Sequence, residues 1–215
     1  MRDDAAKTVF VVSGPSGSGK SSLCAEALRH LHWLSASISH TTRLPRAGET
    51  EGRDYRFVDR QTFEDMIASE EFLEWAEVHG ELYGSSRQNL VRHSQHKAIL
   101  FEVDCKGAEK IREKVPDSIL IFIMAPSFRD LVARIRKRGS MSARELSTRL
   151  RTAREEIRRT HAFDFLIIND DFQDALERFK AILVGQRCRR DLLAPLWTEH
   201  WEREIDLLLQ DLSAA

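Results

Sequence analysis

Lys20 and Ser21 close a stretch, Gly14-Pro15-Ser16-Gly17-Ser18-Gly19-Lys20-Ser21, whose residue types suit one kind of chemistry. The spacing is that of a phosphate-cradling loop, G-x-x-x-x-G-K-S. Glycines let the backbone curl tightly and turn its N–H groups toward an anion. A helix starting at the same point adds partial positive charge. The Lys20 ammonium is a mobile full charge for the β- and γ-phosphates of a nucleoside triphosphate, and the Ser21 hydroxyl is a ligand for Mg2+. Ser22 continues the polar run and joins the candidate triphosphate site. The loop defines a phosphoryl donor and leaves the acceptor open.

The elements needed to position this loop are legible on both sides of it. Val9-Phe10-Val11-Val12 reads as a buried strand within residues 8–13, and 20–31 reads as a helix, the strand-loop-helix setting the motif requires. A short strand follows at 35–39, and then the pattern changes. From His40 to about Arg53 the chain is polar, broken by Pro45, Gly48 and Gly52. Strands at 55–58, 72–78 and 82–85 and helices at 59–69 and 86–96 make a small α+β insertion over 38–96. Alternation then resumes: strand 98–104 ending in carboxylates, helix 107–114, continuous apolar strand 118–124, helix 128–137, a break at 138–142, a charge-rich helix 143–160, strand 163–168 and helix 171–186. This order predicts an α/β fold, a parallel sheet covered by helices on both faces. The core comprises 1–37 and 97–190. The tail, 191–215, reads as an amphipathic helix with Leu196, Trp197, Trp201, Ile205, Leu208, Leu209 and Leu212 on one stripe, expected to dock on the core, with an oligomer contact as the alternative.

Composition narrows the function class. With 215 residues, 42% hydrophobic and 31% charged, the chain can bury a sizeable core. A formal charge of −1 gives no basic field for nucleic acid. No apolar run approaches the ~20 residues of a membrane span, and the N-terminus lacks a signal-peptide core. Cys24, Cys105 and Cys188 are far apart and without metal spacing. They read as reduced thiols of a cytoplasmic protein, Cys24 and Cys105 as small core residues. A monomer or small homo-oligomer is expected.

Several further motifs carry a resemblance. They are Ser39-His40-Thr41-Thr42-Arg43 with Pro45-Arg46-Ala47-Gly48-Glu49, Gly52-Arg53-Asp54-Tyr55, Glu71-Phe72-Leu73-Glu74-Trp75-Ala76, Tyr83-Gly84-Ser85, Pro126-Ser127, Arg138-Gly139 and Asn169-Asp170-Asp171. With the loop at 14–21, the sequence resembles the guanylate kinase family from residue 9 to about 185. These are P-loop enzymes that phosphorylate GMP with ATP. The resemblance implies a P-loop core, the insertion at 38–96 as a GMP-binding unit and a lid at about 137–150.

It also implies roles. Arg43, Arg46, Tyr55 and Tyr83 would grip the GMP phosphate, for which forked guanidinium donors and phenol hydroxyls are suited. On their own, two arginines in a polar loop equally suit a solvated basic turn. Glu74 and Ser39 would read guanine, whose N1–H and 2-amino donors match a carboxylate and whose O6 accepts from a hydroxyl. Ser85 falls in the same register. Taken alone, Glu74 is also compatible with a surface place on an alternating strand. At the strand end Glu102 is assigned to GMP and Asp104 to Mg2+ through water. The segment departs from the family pattern at Glu102 and at Lys106. Arg134, Arg138 and Arg149 would close over the phosphates from the lid, while Arg136, Lys137, Arg144, Arg151 and Arg154 read as solvated charges. Asn169 would lie near the adenine. The expected substrates are ATP and GMP in purine metabolism, with Mg2+ as cofactor and no nucleic-acid or membrane partner. Two other readings stay open: a phosphopeptide-binding scaffold, against which the intact Gly19-Lys20-Ser21 argues, and a kinase of another mononucleotide, against which Glu74 and Ser39 argue.

Overall fold

The structure is a computed structural model that describes residues 8–78, 80–92, 98–137 and 142–213. Strand β1 (Thr8–Ser13) is apolar and buried because both its faces are covered. It leads through the glycine-rich loop into α1 (Lys20–His30) and β2 (Leu34–Ala36). The insertion follows as β3 (His40–Thr41), β4 (Arg56–Phe57), α2 (Arg60–Ala68), β5 (Phe72–Val78), β6 (Glu81–Ser86) and α3 (Gln88–Arg92). The core resumes with β7 (Ala98–Glu102), α4 (Cys105–Lys114), β8 (Ile119–Met124), α5 (Phe128–Lys137), α6 (Ala143–Arg158), a 3-10 turn (Thr160–Ala162), β9 (Phe165–Ile168), α7 (Phe172–Arg187) and α8 (Arg190–Ser213).

The core sheet has the order β2-β7-β1-β8-β9, and every pairing in it is parallel. Alternation along β1 sends Phe10 and Val12 to one face and Val9 and Val11 to the other. The first face packs on α1 and α7 through Leu23, Ala27, Leu176, Phe179 and Leu183. The second packs on α4 through Ala108 and Ile111, and Leu73 of β5 joins it. The insertion has its own sheet, β4-β3-β6-β5, with β5 and β6 antiparallel. Phe63 of α2 stacks on Phe72 at a 4.4 Å ring separation and anchors that sheet's small core with Leu82. The Asp59 carboxylate caps α2 by accepting from the Thr62 amide at 2.7 Å.

The elements otherwise match the sequence reading in order and kind, but β3 (His40–Thr41) falls where an irregular polar stretch was expected, and several boundaries moved. The strands expected at 35–39 and 55–58 shrink to Leu34–Ala36 and Arg56–Phe57. The helix expected at 86–96 is described as Gln88–Arg92, the rest lying outside the described residues. The strand expected to reach Asp104 stops at Glu102, because Asp104 caps α4, which starts at Cys105. Cys24 and Cys105 are buried, as expected. The docked C-terminal helix is overturned. α8 forms, yet Trp197, Trp201, Ile205, Leu208, Leu209 and Leu212 are all exposed by more than half. The physical reason is that α1 and α7 already fill one face of the core sheet, and α4 and β5 the other. Among the described residues no helix is long and apolar enough to cross a membrane.

Candidate active site

The glycine-rich loop sits at the C-terminal edge of the parallel sheet, where strand ends of this architecture collect ligands. Two of its glycines have unavoidable jobs. Gly14 has φ 143°, and a β-carbon there would lie 2.1 Å from the Ile123 carbonyl of β8. Gly19 has φ 94°, and its β-carbon would meet Asn169 Nδ2 at 2.2 Å. The loop closes with Ser18 N–H donating to the Pro15 carbonyl at 3.1 Å. Lys20 begins α1, and its side chain makes no hydrogen bond among the described residues. Ser21 and Ser22 are exposed one and two residues further on.

Asn169 is buried, and its placement refines the expectation. Its Nδ2 donates to the Ser18 carbonyl at 2.7 Å, and its own N–H donates to the Met124 carbonyl at 2.7 Å. Its carbonyl accepts from Arg134 Nη2 at 2.9 Å. The residue expected beside adenine is thus a pillar under the phosphate loop. Arg134 reaches this pillar from α5, and Arg149 of α6 donates to Ser16 Oγ at 3.0 Å. Both lid arginines therefore converge on the loop. Arg138 and the expected lid loop at 138–141 lie outside the described residues.

The two carboxylates at the end of β7 part company. The Ser21 hydroxyl donates to Glu102 Oε1 at 2.5 Å. Alternation explains it: Glu102 shares the face of Leu100, which packs on the α1 side of the sheet. Asp104 instead turns to cap α4, Oδ1 accepting from the Gly107 amide at 2.7 Å. There its charge bears on Glu74 and helps to raise that carboxyl's pKa. Glu102, expected at GMP, is thus bonded to Ser21, and Asp104, expected at the metal through water, caps α4 near Glu74.

Glu74 lies on β5 and is only 8% exposed, so it is not a surface residue. It pairs across the hairpin with Ser85, whose hydroxyl and backbone N–H donate to its carboxylate. Burial pushes the Glu74 carboxyl above its ordinary range, with Asp104 adding to this, while the Ser85 hydrogen bonds and Lys110 pull it back. Ser39 reaches the same place, its hydroxyl 3.4 Å from that of Ser85. Glu74, Ser85 and Ser39 form one polar cluster near the N-terminal end of α4, with Glu74 and Ser85 buried and Ser39 half-buried.

Of the expected phosphate donors, Tyr83 lies on β6, and Arg43, Arg46 and Tyr55 lie between β3 and β4. Arg43 donates to both Glu49 oxygens at 2.9 and 3.0 Å and to the Leu44 carbonyl at 2.7 Å. Its guanidinium lies 5.4 Å from the Tyr55 ring centre, and the Tyr55 and Tyr83 rings meet edge-on at 6.0 Å. The Glu49 carboxylate holds the Arg43 pKa above its usual range, and Arg43 holds Glu49 below its own. Arg46 is exposed, and its backbone N–H donates to Glu49 at 2.7 Å. Two groups escaped the sequence reading. Glu49 orients Arg43; its position six residues downstream in the same polar turn was the available signal. Glu156 of α6 is half-buried, its pKa raised by burial and by Asp104 and lowered by the Lys20 charge. It is one of many acidic residues on a charge-rich helix, so no sequence signal singled it out.

The family model described as guanylate kinase matches residues 6–186. A guanylate kinase of Syntrophotalea carbinolica is 42% identical over 182 residues, covering 84% of this chain and 87% of its own. That of Thiobacillus denitrificans is 44% identical over 175 residues, covering 81% and 84%. Among solved structures, guanylate kinase from Anaplasma phagocytophilum matches with a TM-score of 0.68 at 32% identity, covering 86% of this chain and 88% of its own. The shared stretch runs from β1 to the end of α7 and takes in the loop, the insertion and both carboxylate clusters, so the chain belongs to the guanylate kinase family.

Proposed function

We propose that the chain transfers the γ-phosphoryl group of ATP to GMP and to dGMP, giving ADP and GDP or dGDP. The observation that carries this reading is the buried Glu74 carboxylate, hydrogen-bonded to Ser85 and placed with Ser39 at the edge of the sheet that holds the phosphate loop. A carboxylate matches guanine's N1–H and 2-amino donors, and the Ser39 and Ser85 hydroxyls are donors for O6. Adenine lacks that donor pair, so AMP would leave a buried carboxylate unpaired. Asp104, beside Glu74, extends the base pocket.

Arg43, Arg46, Tyr55 and Tyr83 supply donors for the acceptor's phosphate dianion, with Glu49 holding the Arg43 fork in place. The loop amides of Gly14 to Ser21 cradle the donor phosphates, and Lys20 neutralises the charge on the transferred group. Arg134, Arg138 and Arg149 add charge from the lid side. Mg2+ suits the remaining groups. The Ser21 hydroxyl and the Glu102 carboxylate are hard oxygen donors 2.5 Å apart. Bound with ATP and held by Ser21 and Glu102, Mg2+ would supply positive charge to the donor phosphates. The attacking oxygen is already anionic, so no general base is needed. Catalysis is positioning plus charge stabilisation.

The test is a coupled ADP-release assay with GMP, dGMP, AMP, CMP and UMP as acceptors. GMP and dGMP turn over, and kcat/KM for AMP is lower by on the order of 10⁴. Comparable turnover of AMP or a pyrimidine nucleotide overturns the proposal.

A further inference from the structure

Gly107 lies in the first turn of α4 and is not among the glycines with positive φ. Its backbone therefore accepts any L-residue, and alanine would favour the helix. The surroundings explain why the position stays small. A β-carbon on Gly107 would lie 3.2 Å from Glu74 Oε2, 3.3 Å from Asp104 Oδ1 and 3.1 Å from Val103 Cβ. Two of these three neighbours are the carboxylates at the base pocket.

Glu74 has little freedom to retreat from the helix. Lys110 Nζ donates to the Trp75 carbonyl and Lys114 Nζ to the Phe72 carbonyl, each at 2.9 Å. These two bonds from α4 hold β5 on either side of Glu74. They set the height of the strand, and the empty place at Gly107 receives the carboxylate. There Glu74 meets the partial positive charge of a helix N-terminus, which favours an anion.

We propose that Gly107 is a specificity-determining positioning residue: the space left by its missing side chain seats the Glu74 carboxylate against the N-terminus of α4, and that seat sets the preference for a purine bearing both N1–H and a 2-amino group. The inference rests on the assignment of Glu74 to guanine.

The test is Gly107→Ala in the full chain, followed by steady-state kinetics with ATP, GMP and inosine monophosphate, which lacks the 2-amino group. The seat then shifts by a few tenths of an ångström, and KM for GMP rises about tenfold. KM for ATP stays within about twofold, and the preference for GMP over inosine monophosphate falls with GMP affinity. In a Glu74→Ala background the same substitution adds no further loss, because its effect runs through that side chain. Gly185→Ala, at a helical glycine of α7 with open space around it, changes none of these values. An unchanged KM for GMP, equal losses for ATP and GMP, or additive losses in the double variant overturns the inference. If Gly107→Ala alone fails to fold, adding Glu74→Ala restores the melting temperature; a double variant as unstable as the single one also overturns it. A parent chain inactive on GMP refutes the assignment of function instead, whereas a discriminating parent with an indifferent Gly107→Ala refutes only this step.

Discussion

Replacing Glu74 by glutamine separates recognition of the base from everything else the chain does. The variant keeps size and shape and removes a charge that is only 8% exposed. In the proposed complex the carboxylate accepts two hydrogen bonds from guanine. Bonds to a charged group contribute about 1.5–3 kcal/mol each. The glutamine amide keeps one acceptor and turns an N–H₂ toward the second donor, so one bond is lost and the other weakened. A loss of about 3–4 kcal/mol follows, or 10²–10³ in kcat/KM for GMP. KM for ATP stays unchanged, because the phosphate loop is built from other elements. Stability moves the other way. Burial raises the Glu74 pKa in the folded chain, so between its unfolded and folded values the folded state binds more protons, and stability falls as pH rises through that window. Glutamine removes this cost. The melting temperature of Glu74→Gln is therefore equal to or above that of the parent at pH 8, and the advantage disappears on acidification as the parent's carboxyl protonates. The assays are coupled kinetics at varied GMP and ATP and thermal melts between pH 4 and 8. Parallel losses for GMP and ATP, or a loss on GMP of less than about threefold, would refute the reasoning.

Lys20→Ala lowers kcat by on the order of 10²–10³ with an unchanged circular dichroism spectrum, since the side chain makes no hydrogen bond among the described residues; near-normal turnover would sink the charge-neutralising role. Asn169→Ala removes the donor to the buried Ser18 carbonyl, costs about 2 kcal/mol, lowers the melting temperature by about 4–8 °C and raises KM for ATP more than for GMP; an unshifted melt would show that the pillar carries no load. A chain ending at residue 189 lacks α8, whose apolar residues from Trp197 to Leu212 are exposed, and melts within about 2 °C of the parent with the same kinetics; a large drop would show that this helix is held by the core after all.

What could be read from the sequence was what is local. The phosphate loop is written in consecutive residues, and the strand-helix alternation has a period that each segment carries by itself. The insertion showed as a change of texture at His40. The two-residue strand β3 is too short for any period to mark it. The placement of Glu102 beside Ser21 was within reach, because Glu102 stands two residues from Leu100 and must share its face. Asn169 was not: its bond to Ser18 spans 151 residues, and no local pattern announces a contact of that range. The tail shows the limit of amphipathicity, since a stripe states which side chains share a face and not what covers that face.

Topology accounts for the facing of the two half-sites. β2 and β7 are parallel neighbours, so the chain must leave the sheet at the end of β2 and return to its opposite edge to start β7. It leaves at the same edge that carries the phosphate loop and Glu102. A unit built early in that excursion therefore hangs over the donor site whatever its internal design. Its root is fixed: Ser37 N–H donates to the Leu100 carbonyl at 2.8 Å, and the buried Asn89 amide donates to Ser37 Oγ at 2.9 Å and to the Ile38 carbonyl at 3.1 Å. The proposed acceptor pocket then draws on both the insertion and the core. Arg43, Tyr83, Glu74 and Ser85 ride on or beside the sheet β4-β3-β6-β5, whereas Asp104 and Gly107 belong to α4 in the core. Any rotation of the insertion about its root preserves the Glu74–Ser85 pair and alters the gap between Glu74 and α4. The alignment of acceptor with donor is accordingly set by the packing of β5 on α4, where Lys110 and Lys114 hold the strand by its carbonyls.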